Sequence, residues 1–136
     1  MTTPIELLPH RWPLLLLDRV AQVRPGENLH GYLRIKADDP WYADEFPCYL
    51  ILESWLQAAG VLARWGSDDP DAALLVGRLH DVRLIRPAFA GETVVHRVDI
   101  VKAAAGAAIC AGVSTVAGEP ILQIGQAVVS LRGGTR

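Results

Sequence analysis

The 136-residue sequence predicts an α+β fold in which one antiparallel sheet wraps a single buried helix. Three observations carry this. Tyr49 to Trp65 is apolar on nearly every side of a 3.6-residue period, the mark of a helix with little solvent around it. Everything after it reads as strands separated by Gly- and Pro-bearing turns. Two further strand-like stretches precede it, so strands cover both sides of the helix in sequence.

Taken in order, Pro4 to His10 allows one short helical turn that ends at Pro13. Leu16 to Val23 reads as a strand stopped by "RPGE" at 24–27, and Asn28 to Ile35 alternates apolar and polar residues as an antiparallel strand does. "ADDPWYADEFPC" is irregular, with two prolines. In the helix, Leu52, Trp55, Leu56, Ala59 and Leu62 form one stripe, while Leu50, Ile51, Ala58 and Val61 fill most of the opposite side. "GSDDPDA" at 66–72 ends it. Strands are then expected at Ala73–Leu79, Val82–Ile85, Thr93–Val101, Ala108–Ala117 and Ile121–Leu131.

Composition narrows the function. At this length the chain is expected to be one domain, 1–136. It is 51% hydrophobic and 21% charged, with a formal net charge of -2 and no basic run, which speaks against nucleic acid or an anionic membrane as partner. The apolar run Leu14–Leu17 closes at once on Asp18 and Arg19, too short for a span or a signal core, so a cytoplasmic protein is expected. Cys48 and Cys110 have no metal-site spacing and read as reduced, small apolar residues. The high apolar share hints at a buried face between subunits.

Three blocks of sequence resemble one known family. "ELLPHRWPLLLLDRV", "YLILESWLQAAG" and "VRLIRPAFAGETVVHRVDIVK" are similar, in the same order, to the opening, the central helix and a strand pair of the hotdog-fold 3-hydroxyacyl-acyl-carrier-protein dehydratases of type II fatty-acid and polyketide synthesis. The resemblance implies a hotdog domain that works as a dimer. It also implies an acyl chain carried on the phosphopantetheine of an acyl carrier protein, and no metal or other cofactor. Members of that family use a histidine and a carboxylate from opposite subunits. Its carboxylate maps onto Glu53, and its nearby glutamine onto Gln57.

The histidine is missing. "YADEFPCYLILE" holds none and is several residues short of the family's histidine loop: with Phe46-Pro47 matched to the family's Phe-Pro, Glu45 stands in the histidine's place, and with Pro47-Cys48 matched to its Pro-Gly, the favoured alignment, that whole loop is absent. Elimination of water from a 3-hydroxyacyl thioester needs a base for the C2 proton, which imidazole suits near neutral pH, and an acid for the departing hydroxyl. Glu53, walled by Leu, Trp and Ala, suits the second role. The first helix amides, at Cys48 and Tyr49, are placed to receive the thioester oxygen as enolate charge develops. Trp55 and His80 complete the expected substrate surroundings.

Beside these stand blander readings. Glu53 as a structural acid, His10 as packing or capping, His30 and His96 as edge or surface residues, and His80 as a satisfied structural histidine are all ordinary. Trp41, Tyr42 and Trp65 fit core, tunnel wall or interface. Arg83, Arg86, Arg97 and Lys102 are basic residues that an acidic carrier protein would meet. The expected function is therefore a dehydratase subunit that supplies Glu53 to a site whose histidine comes from a second hotdog chain. Two alternatives are a catalytically silent homodimer that binds carrier protein, and a hotdog thioesterase in which Glu53 activates water.

Overall fold

The computed structural model describes residues 15–65, 73–104 and 106–132. The short turn at Pro4–His10, the segment 66–72 and His10 lie outside them. Six strands and one helix follow in the order β1 (Arg19–Arg24), β2 (Asn28–Arg34), α1 (Cys48–Arg64), β3 (Ala73–Leu84), β4 (Thr93–Ala104), β5 (Ala107–Val116) and β6 (Glu119–Arg132). All pairings are antiparallel, and the sheet order is β1-β2-β4-β5-β6-β3, which leaves β1 and β3 at the edges.

Strand alternation directs one face of the sheet onto the helix. Leu29, Leu33, Val94, Val98, Leu122, Ile124, Ala127 and Val129 are buried there against Ile51, Trp55, Ala58, Ala59 and Leu62 of α1. Trp55 is the largest of these, fully buried, and its indole N–H donates to the Arg97 carbonyl at 3.0 Å. The ring lies over Gly112: a Cβ built there would stand 2.9 Å from the indole and 1.9 Å from the Arg97 carbonyl oxygen, so only glycine fits.

Two sequence expectations change. β3 is a single strand rather than two. The expected break falls at Asp81, which takes φ +55° and continues the pairing with β6, its Cβ side facing Gly125 where a side chain would collide at 2.7 Å. The helix, too, is left open along one flank. Leu50, Leu52 and Leu56 are half-buried and Tyr49 is 66% exposed, because the sheet does not close around the whole cylinder. Among the described residues no helix is long and apolar enough to cross a membrane.

Candidate active site

The site begins where the chain enters α1. Phe46 forms a one-residue antiparallel bridge with Ala88: its N–H donates to the Ala88 carbonyl at 2.8 Å, and the Ala88 N–H donates back at 3.1 Å. A second tie runs from the Ala90 N–H to the Tyr42 hydroxyl at 3.1 Å. The stretch "DEFPC" is thus pinned through Phe46 to the β3–β4 connection and leads directly into the helix. Pro47 is the N-cap and offers no side-chain cap; its carbonyl accepts the Leu50 and Ile51 amides. The Cys48 and Tyr49 amides precede the first intrahelical partner, as at any helix N-terminus.

Tyr49, Glu53 and Gln57, spaced by four, share one row along α1. The row runs inward: Tyr49 exposed, Glu53 half-buried, Gln57 only 2% exposed. Gln57 is held at both ends. Its Oε1 accepts the Leu16 N–H at 2.8 Å, which turns its Nε2 toward Glu53 Oε1, 3.4 Å away. Cys48 is half-buried at the head of the helix, and its thiol pKa is raised by desolvation and then by the nearby Glu45.

One residue beyond Glu53, Ser54 starts a second buried chain. Its hydroxyl donates to the Leu16 carbonyl and lies 2.7 Å from His96 Nε2; His96 Nδ1 lies 2.7 Å from the Ser114 hydroxyl. Ser54 has one proton and gives it to a carbonyl, so the imidazole must donate from Nε2 and accept from Ser114 at Nδ1. Ser54, His96 and Ser114 are all fully buried, and desolvation lowers the His96 pKa to about 3, so the ring is neutral at physiological pH.

His96 therefore corrects the expectation of an edge or surface residue. The signal was present in strand parity: His96 falls between Val94 and Val98 on the helix-facing side, with Val95, Arg97 and Asp99 outward. His30 and His80 go the other way. Leu29 and Gly31 flank His30 on the inner face, and His80 pairs with the outward Gln126 whereas Leu79 and Val82 pair with the buried Ala127 and Ile124, so both histidines lie on the face away from α1. His80 is exposed on the edge strand, apart from the Tyr49–Glu53–Gln57 row. Trp55, expected near substrate, is placed in the core with its N–H occupied. Cys110 is buried as expected, its thiol pushed up to about 11 by desolvation and then by Asp99.

Of the four basic residues expected to meet a carrier protein, two are already engaged. Arg86 grips Glu92 through two contacts of 3.1 Å, and Arg97 binds Asp99 at 3.1 Å. Arg83 and Lys102 are exposed.

A helix wrapped by a six-stranded antiparallel sheet, with a carboxylate near the head of the helix, is the hotdog arrangement. The chain belongs to the FabA-like domain family, whose model matches residues 8–125. Among its relatives are two 3-hydroxyacyl-acyl-carrier-protein dehydratases named FabZ. The one from Shewanella pealeana is 33% identical over 126 residues (86% of this chain, 82% of the relative). The one from Dechloromonas aromatica is 31% identical over 105 residues (71% and 73%). A solved structure described as the dehydratase heterocomplex ApeI:P from Xenorhabdus doucetiae shares the fold, with TM-score 0.84 at 16% identity, covering 98% of this chain and 93% of that one.

Proposed function

We propose that this chain is the acid-bearing subunit of a 3-hydroxyacyl-acyl-carrier-protein dehydratase and that a second hotdog chain brings the histidine. The observation that carries the reading is the row on α1. Exposed Tyr49 leads to half-buried Glu53, which is backed by a glutamine clamped from behind. That is how a proton donor is presented to a substrate entering from the head of the helix. The described histidines do not complete it: both ring nitrogens of His96 are engaged within the core, and His30 and His80 face away.

In the proposed reaction the partner's imidazole removes the C2 proton. Charge flows onto the thioester oxygen, which the Cys48 and Tyr49 amides receive at the positive end of the helix. Glu53 then protonates the 3-hydroxyl, the C3–O bond breaks, and water leaves behind a 2-enoyl thioester still tethered to its carrier. No metal or separate cofactor is needed for these steps. The reading places the protein in the cytoplasm beside its acyl carrier protein.

A partner chain is supported by surface as well as by chemistry. The half-open flank of α1 at Leu50, Leu52 and Leu56, and the exposed Val76, Leu79 and Leu84 on edge strand β3, are apolar areas suited to burial between subunits. The fold relative from Xenorhabdus doucetiae is itself described as a heterocomplex. The test mixes this chain with histidine-bearing paralogues and follows loss of water from a 3-hydroxyacyl carrier protein. Glu53→Gln should lower turnover of the mixture roughly 10²–10⁴-fold, the range for losing a general acid. Equal activity with and without Glu53 would refute the role. A homodimer that ignores every paralogue and turns nothing over would favour the silent, carrier-binding alternative.

A further inference from the structure

We infer that His96 is a positioning residue for Glu53, acting through Ser54, the Leu16 peptide groups and Gln57. The inference rests on the dehydratase reading and extends it to a residue on a different strand from the acid.

Leu16 lies in the segment 15–18, ahead of β1, where no strand ladder serves its backbone. Both of its peptide groups are instead held by side chains one turn apart on α1: the carbonyl by Ser54 and the N–H by Gln57. Leu16 is thereby a strap across the helix, and the half of it that orients Gln57 is only as firm as the half held by Ser54. Ser54 in turn is fixed by the His96 Nε2–H, and the imidazole tautomer by Ser114. Every side chain in the sequence Ser114, His96, Ser54, Gln57 is 2% exposed or less, so a broken link has no water to replace it. The chain ends at the one carboxylate of the row, through the long 3.4 Å contact from Gln57. A contact of that length is sensitive to small displacements of its donor.

A packing role for His96 predicts that an apolar residue of similar size leaves Gln57 and Glu53 where they are; a positioning role predicts the reverse. The first readout is hydrogen exchange in the chain alone. In His96→Leu and in Ser54→Ala, the Leu16 N–H and the Gln57 side-chain amide should exchange on the order of tenfold faster, while the Val98 and Ala127 amides keep their protection. His96→Gln, which can still donate toward Ser54, should restore part of it. The second readout is turnover with the histidine-bearing partner. Each single variant should lose about tenfold in kcat with KM within about twofold, and the double variant should be no worse than either single.

Unchanged exchange at Leu16 and Gln57, a uniform loosening of all core amides, or additive losses in the double variant would each overturn the inference. If His96→Leu does not fold, Ser54→Ala cuts the same link and carries the test. A wild-type chain inactive with every partner would refute the dehydratase reading instead, and the exchange readout would still decide whether His96 holds Gln57.

Discussion

Burying a neutral histidine makes the fold sensitive to mild acid, in a pH range where carboxylates contribute little. In the folded chain desolvation lowers the His96 pKa from 6.5 to about 3. Between those values the unfolded chain binds the extra proton and the folded chain does not. The contribution of neutral His96 is therefore fully present above pH 6.5 and fades as pH falls toward 3. At about pH 5 the gap from the unfolded value corresponds to roughly 2 kcal/mol, a sizeable part of the 5–15 kcal/mol typical of a domain. Urea unfolding at about pH 7.5 and about pH 5 reads this directly, provided the denaturant slope stays constant. His96→Gln removes the titrating group and should flatten the difference between the two pH values, although it lowers stability at both. The other three histidines are common to both proteins and cancel in the comparison. An equal loss of stability on acidification in the two proteins would refute the reasoning. So would a His96 ring resonance that titrates near 6.5 in the folded state.

Other perturbations test the parts separately. Gln57→Leu leaves the buried Leu16 N–H without its acceptor and should cost about 1–3 kcal/mol in a denaturant titration, apart from any effect on turnover. Gly112→Ala forces a methyl against the Arg97 carbonyl and the Trp55 ring; overpacking of this kind costs roughly 1–3 kcal/mol, and Trp55 fluorescence should report a shifted indole. The Arg86–Glu92 pair is about a third exposed, so a double-mutant cycle should return no more than about 1 kcal/mol. Arg86 holds the Glu92 carboxyl below its usual range, so this small contribution is present at neutral pH and is lost as pH falls below 4.5.

Much of the architecture was written in local pattern. The helix declared itself by period, the later strands by alternation and turn residues, and Glu53 with Gln57 by the likeness of the helix to that of the dehydratase family. What escaped depends on pairings between distant segments. The continuity of β3 through Asp81 requires a glycine on the strand opposite, Gly125, and nothing near Asp81 announces it. The Ser54–His96–Ser114 chain joins three elements, although the parity of His96 with Val94 and Val98 was enough to place it inward. The half-open flank of α1 escaped for another reason. An apolar period shows that a face wants burial, not whether its own sheet or another chain supplies the cover.

The left-handed Asp81 in β3 bears on what can add to that edge. A flat outer strand of twelve residues would be a template for any passing strand, and so for open-ended association. With Asp81 in a left-handed conformation at mid-strand, the regular backbone geometry of the edge is interrupted there. A strand that adds along the whole of β3 has to accommodate that interruption, so regular pairing is easiest on the runs to either side of Asp81.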